Sequence, residues 1–128
     1  MSIKSLILAS TLTLASHTAI ANKPLPCPTT GPVVDIANVI QGDTRKKIED
    51  RLRIVDTEKH HQVVLLTVDN IEEYGYNSIR EMGLAYASKT GCRIGYAGSD
   101  TGVLMVFSKT PAPIEKQRYG IEVGKGVE

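Results

Sequence analysis

Two apolar runs constrain the fold of this chain more than any other feature of its sequence. Residues 63–68 and 102–107 are apolar at almost every position and rich in branched side chains. Such runs are typical of strands buried on both faces, as in a parallel sheet. A helical pattern lies between them, and the order strand, helix, strand indicates a right-handed βαβ unit. The sequence therefore predicts a small α/β fold, with a mostly parallel sheet and helices packed on it.

The segments around these runs predict two helices. Residues from about 43 to 60 carry apolar side chains at helical spacing, and Asp43 can cap the helix. A second helix is expected to begin at Ile71 or Tyr76, to continue to Thr90, and to end at Gly91.

The carboxyl-terminal part predicts a hairpin. The turn 110–113 contains two prolines, and residues 117–123 read as a third strand that runs antiparallel to the second. The fold class expected is thus a βαβ core with an antiparallel hairpin strand.

The first 21 residues have the pattern of a signal peptide. Lys4 precedes a short apolar stretch, and Ala19-Ile20-Ala21 is a small-x-small cleavage signature. We expect cleavage after Ala21 and a periplasmic or secreted protein. Residues 22–32 contain four prolines and read as an extended leader. Residues 33–128 are then expected to form one domain.

Composition limits the partners that this chain can have. Removing residues 1–21 leaves 107 residues and takes away one of 15 basic residues and none of 14 acidic ones, so the formal charge becomes zero. Nothing in this balance indicates a nucleic acid or an anionic membrane surface as partner. No second apolar span follows the first, so no membrane span is expected in the mature chain.

The two cysteines leave two alternatives open. In an oxidising compartment Cys27 and Cys92 can form one disulfide, which would fix the leader to the domain. Free thiols are the alternative, because pairing requires Cα atoms within about 7 Å and the sequence does not give that distance.

Three aspartates adjoin the expected strands and are candidate metal ligands. Asp35 closes Val33-Val34, Asp69 follows the first apolar run, and Asp100 precedes the second. If the two runs are parallel strands, Asp69 and Asp100 lie at opposite edges, whereas Asp35 can serve either one. The end of the hairpin returns to the Asp100 edge. We therefore expect Asp35, Asp100 and Glu128 to bind a divalent cation, with calcium as the expected ion and Asp69 as the next candidate ligand. Asp residues are also common at strand ends without any ligand.

Four motifs in the same order resemble the TPM domain family. They are Val33-Val34-Asp35-Ile36-Ala37, the strand ending in Thr67-Val68, Asp100-Thr101-Gly102-Val103-Leu104, and residues 118–128 with their alternating glycines. The resemblance covers residues 33–128. It implies an exported α/β domain that binds calcium or another divalent cation. The family pattern normally continues beyond Glu128, so the resemblance also implies a domain that is truncated at this end.

Two functions remain open at this stage. The resemblance implies either a non-catalytic module, which binds an ion and an unidentified protein partner in assembly or repair, or an acid-phosphatase-like hydrolase of phosphate esters. For the second, a cation would activate water while Arg118 or Lys125 holds the substrate. No nucleophile with a base can be named from the sequence, so whether the protein is an enzyme is left open, and the binding role is preferred.

Overall fold

A four-stranded mixed sheet forms the centre of the molecule. The computed structural model describes residues 22–96 and 100–126, so the predicted signal peptide and Glu128 lie outside the described residues. The strands are β1 (Val33–Asp35), β2 (Gln62–Val68), β3 (Gly102–Ser108) and β4 (Tyr119–Val123), in that spatial order. The first three are parallel, and β4 is antiparallel to β3. The predicted α/β class, with its antiparallel hairpin strand, is confirmed.

The helices differ from the prediction at their ends. Helix α1 (Gly42–Lys59) begins one residue before Asp43, so Gln41 occupies the cap position and Asp43 lies in the first turn. The single second helix that the sequence predicted is divided into a short 3₁₀ helix (Ile71–Tyr74) and α2 (Ile79–Ala87). The division occurs at Gly75, which adopts a left-handed conformation with φ of 90°. Ser78 then caps α2 by accepting a hydrogen bond from the Glu81 N–H.

The main core lies on the α2 face of the sheet. Alternate residues of the central strands are fully buried there, and α2 contributes Met82 and Tyr86. Since side chains alternate between the two faces of a strand, the buried set on the sheet is the even-numbered one. Its members on β2 and β3 are Val64, Leu66, Val68, Leu104 and Val106.

The opposite face is only partly covered. Helix α1 contacts β1 and β2, and it contains no fully buried residue. Val33 is buried, and its register with Leu65 places it on this face of the sheet. The part formed by β3 and β4 has no such cover within the described chain, and β4 exposes large apolar side chains there. The described residues therefore form one complete core layer and one incomplete one.

The leader is ordered and attached to the α2 face. Cys27 and Cys92 form a disulfide with Cα atoms 5.2 Å apart, which settles the alternative that the sequence left open. The Tyr86 hydroxyl donates a hydrogen bond of 2.8 Å to the Pro26 carbonyl, and Leu25 packs against the core. Burial raises the pKa of Tyr86 far above its ordinary value, so this hydroxyl stays a donor.

Candidate functional site

Asp35 lies at the carboxyl end of β1, where its carboxylate organises the turn that follows. It accepts hydrogen bonds from the Thr67 hydroxyl and from the backbone N–H groups of Val39 and Ile40, at 2.5, 3.1 and 3.0 Å. Partial burial raises the pKa of Asp35, but these hydrogen bonds and the charge of Arg45 outweigh it, so the net effect lowers the pKa. This carboxylate is therefore held ionised by groups of the protein itself.

Asp69 follows β2 at the same edge of the sheet as Asp35. Its side chain is about half exposed and lies 3.4 Å from the Lys109 Nζ. An ion pair this exposed stabilises a fold little, and the lysine competes with any cation for the carboxylate. Asp69 and Asp35 lie at the same edge, but within the described residues no hydrogen bond joins them and they have no hydrogen-bond partner in common.

Asp100 lies at the opposite edge, before β3, and is fixed by the turn that follows β4. Its Oδ2 accepts a hydrogen bond of 3.0 Å from the Lys125 N–H, and its carbonyl accepts one of 2.9 Å from the Gly126 N–H. A Cβ on Gly124 would lie 2.1 Å from the Asp100 carbonyl oxygen, so only glycine fits at this crossing. Asp100 itself has φ of 50°, a left-handed conformation that Asp tolerates better than most residues.

The structure does not bring Asp35 and Asp100 together. Asp35 is in register with Thr67 at one end of β2, whereas Gln62 at the other end is in register with Gly102. Five residues of strand, about 17 Å at 3.3 Å per residue, separate these levels. The predicted grouping of Asp35 with Asp100 and Glu128 is not formed, because β1 runs parallel to β2 and carries its carboxyl end to the far edge. Cation binding at Asp35, Asp100, Glu128 or Asp69 stays a prediction.

Glu122 is a candidate that the sequence analysis missed. It is half-buried, and its Cγ lies only 2.7 Å from the position that a Cβ on Gly83 would occupy. Glu122 and Asp100 line the same cleft, of about 280 Å³, between α2 and the end of β4. The hairpin pattern could have indicated Glu122. Side chains alternate along β4, so Glu122 lies on the sheet face opposite to that of Ile121.

Basic side chains line a second cleft next to Asp100. This cleft, of about 520 Å³, is bordered by Lys89, Arg93 and Asp100.

The two residues that the sequence analysis proposed for substrate binding lie at opposite ends of β4. Lys125 lies at this edge, whereas Arg118 lies at the far end of β4, where its carbonyl accepts a hydrogen bond from the Ser108 N–H. Arg118 therefore cannot assist chemistry at Asp100.

The described residues contain no complete metal centre. Among residues 22–96 and 100–126, no three His, Cys, Asp or Glu side chains are close enough together to hold an ion. Every buried polar side-chain atom in this part of the chain has a hydrogen-bond partner. A site at the Asp100 edge would therefore need Glu128, backbone carbonyls or water as further ligands.

None of the helices within the described ranges has the length and apolar character needed to cross a membrane.

Comparison with known proteins identifies the family. A search of curated proteins found no match. The family model of the TPM domain matches residues 33–128, which is three quarters of the sequence and includes both edges of the sheet. This chain therefore belongs to the TPM domain family.

Proposed function

We propose that this protein is an exported TPM-domain module that acts by binding a divalent cation, calcium above all, and a protein partner, rather than by catalysis. The observation that carries the proposal is that the Asp100 carboxylate, which the turn after β4 fixes, lines one cleft together with Glu122. Carboxylate and carbonyl oxygens are the ligands that calcium prefers.

The geometry of the turn supports this cation site. Lys125 N–H bonds to Oδ2 only, so within the described residues the turn leaves Oδ1 of Asp100 available to an ion. Glu128 follows two residues after Gly126 in the sequence. Because calcium takes 6–8 oxygens and two or three acids supply only some of them, we expect an affinity in the range of about 10⁻⁴ to 10⁻³ M.

The disulfide supports export. Cys27 and Cys92 are joined, and disulfides persist mainly in the periplasm, in secretory compartments and outside the cell. An exported location also agrees with the weak calcium affinity that we expect, because extracellular calcium modules work at millimolar concentrations of the ion.

A calcium titration followed by amide NMR tests the binding proposal. We expect the signals of Gly124, Lys125 and Gly126 to shift, and Asp100→Asn to abolish the shifts. Asp69→Asn is the matched control at the opposite edge, and it should leave them unchanged. Signals of the turn that stay fixed up to about 10 mM calcium, or that shift equally in Asp100→Asn, would contradict the site.

The phosphatase-like alternative is favoured by one observation. Lys89 and Arg93 border the cleft next to Asp100, where they could bind a phosphate while a cation polarises a phosphoryl oxygen. Under this alternative the purified chain hydrolyses a phosphate ester, a chelator stops the reaction, and Arg93→Gln raises KM. Calcium-dependent NMR shifts without any chelator-sensitive hydrolysis would decide for the binding module.

A further inference from the structure

Gln62 forms hydrogen bonds with two backbone segments that border the Asp100 edge. It is the first residue of β2 and is half-buried. Its Oε1 accepts a hydrogen bond of 2.7 Å from the Gly95 N–H, and its own N–H donates one of 3.1 Å to the Thr101 carbonyl. Because Thr101 directly follows Asp100, Gln62 joins the segment at Gly95 to the start of β3.

The segment 92–96 forms part of the wall of both clefts at this edge. Ile94 is buried and lines each of them. The beginning of the segment is fixed, because Cys92 carries the disulfide to the leader and its N–H donates a hydrogen bond of 2.7 Å to the Tyr86 carbonyl. The other end of the segment is the one that Gln62 contacts.

This segment packs against the start of β3 more closely than side chains would allow. A Cβ on Gly95 would lie 2.7 Å from the Gly102 nitrogen, and a Cβ on Gly102 would lie 2.5 Å from the Ile94 carbonyl oxygen. Two backbones in such contact cannot shift independently, because a close-packed interior transmits displacement. A movement of Gly95 is therefore transmitted to the segment that carries Asp100.

Two further hydrogen bonds within the described residues hold the segment 92–96 less firmly. The Tyr96 N–H donates to the Thr101 hydroxyl over 3.4 Å, which is long for such a bond. The Tyr96 hydroxyl donates to the Asp56 carboxylate of α1, but Tyr96 is 45% exposed. Since a hydrogen bond is stronger away from water, we expect the shorter bond between Gly95 and half-buried Gln62 to contribute most.

We propose that Gln62 is a positioning residue of the Asp100 site, whose side-chain oxygen holds the segment 92–96 against β3 and so keeps the Asp100 carboxylate in place for a cation. The inference rests on the cation site proposed above and adds to it a residue of the neighbouring strand. Gln62 acts through Gly95 and Gly102 rather than through contact with the ion. Without its hydrogen bond the binding-competent arrangement is populated only in part, and the apparent affinity falls in proportion.

Hydrogen exchange of the calcium-free protein tests the positioning. Gln62→Met keeps the length of the side chain and removes its strong acceptor, whereas Gln62→Glu keeps an acceptor oxygen. We expect Gln62→Met to raise the exchange rate of the Gly95 amide and of the Lys125 and Gly126 amides, which bond to Asp100. The expected increase is about three- to tenfold, the factor that one such hydrogen bond provides. Gln62→Glu should restore rates close to those of the wild type.

Ser78→Ala is the matched control for a general loss of stability. It removes the hydrogen bond that caps α2 and should destabilise the fold by a similar amount. The adjacent Asn77 carbonyl accepts a hydrogen bond from the Ile114 N–H, in the connection between β3 and β4, so this end of α2 lies at the edge far from Asp100. Ser78→Ala should therefore leave the three exchange rates unchanged.

A calcium titration of the same chains connects the positioning to binding. Followed by the amide signals of residues 124–126, Gln62→Met should bind calcium about three- to tenfold more weakly than the wild type. Ser78→Ala should bind it with unchanged affinity. Gln62→Glu is unsuitable for this titration, because its added charge attracts a cation by itself.

Three results would overturn the proposal. They are unchanged exchange of the Lys125 and Gly126 amides in Gln62→Met, a calcium affinity of that variant equal to the wild type, and an equal effect of Ser78→Ala on either measurement. A wild-type chain that does not respond to calcium would instead contradict the cation site itself. The exchange rates would then still decide whether Gln62 fixes Asp100.

Discussion

Asp35 illustrates how a carboxylate at a strand end can stabilise the fold. The sequence places it after an apolar strand, which suits a cation ligand as well as a turn. In the structure its oxygens accept hydrogen bonds from Thr67, Val39 and Ile40, which fixes the path from β1 towards α1. This structural role depends in part on Thr67, a neighbour that is distant in sequence.

Replacement of Asp35 by Asn tests this structural role. Folding lowers the pKa of Asp35, so its contribution is present above the pKa of the unfolded state, near 4, and is lost as the pH falls through the lower folded-state pKa. We expect Asp35→Asn to lower the free energy of unfolding at pH 7 by about 1–2 kcal/mol. We also expect a weaker loss of stability below about pH 4 than in the wild type.

Urea denaturation at a series of pH values measures both effects. Asp69→Asn serves as the control, because its exposed contact with Lys109 should contribute about 0–1 kcal/mol at most. An Asp35→Asn chain with the stability and acid sensitivity of the wild type would refute the assignment.

At the scale of elements, β2, β3 and β4 were predictable to within two residues at each end, but β1 was not counted among the three predicted strands and the break in the second helix was not predicted. Apolar runs bounded by Asp69 and Asp100 define β2 and β3 directly, because a buried strand needs apolar side chains on both faces. The segment 71–87 also has helical spacing. Its break comes from the left-handed Gly75 and the Ser78 cap, two local signals that the overall periodicity conceals.

The leader is the element whose attachment has the largest expected effect on stability. Removing the disulfide with Cys27→Ser and Cys92→Ser together should lower the free energy of unfolding by about 2–5 kcal/mol, since the bond closes a long loop. Tyr86→Phe should cost only about 1 kcal/mol, because it removes one hydrogen bond to Pro26 and keeps the packing of the ring.

Guanidinium denaturation of the oxidised wild type and of both variants gives these values. A double-serine variant as stable as the wild type would mean that the leader adds nothing to the fold beyond its noncovalent contacts.

At the scale of the whole molecule, the sequence predicted the class of fold but not which edge each aspartate occupies. The pairing of β1 could not be read from its three residues, and this pairing carries Asp35 away from Asp100. The cleft that Glu122 and Asp100 both line also depends on contacts between α2 and β4, which no local pattern contains. Of the predicted ligands, the sequence placed Asp69 and Asp100 at opposite edges, as the structure has them, and left the edge of Asp35 open.

The uneven covering of the two faces predicts uneven stability. Helix α1 has no fully buried residue, whereas β2, β3 and α2 form the core. Since local opening is easiest where few apolar groups are buried, amides in the middle of α1 should exchange with solvent at least about tenfold faster than those of β2 and β3. Native-state hydrogen exchange measures this difference. Equal protection in α1 and β3 would show that the molecule opens only as one unit.

The position of the disulfide also has a consequence for the order of assembly. The covalent ring between Cys27 and Cys92 encloses β1, α1, β2 and α2, while β3 and β4 come later in the chain. A polypeptide that emerges amino terminus first can close this ring before β3 and β4 have emerged. The hairpin then joins β2 from the outside, along an exposed border, and no segment has to be threaded through the closed ring.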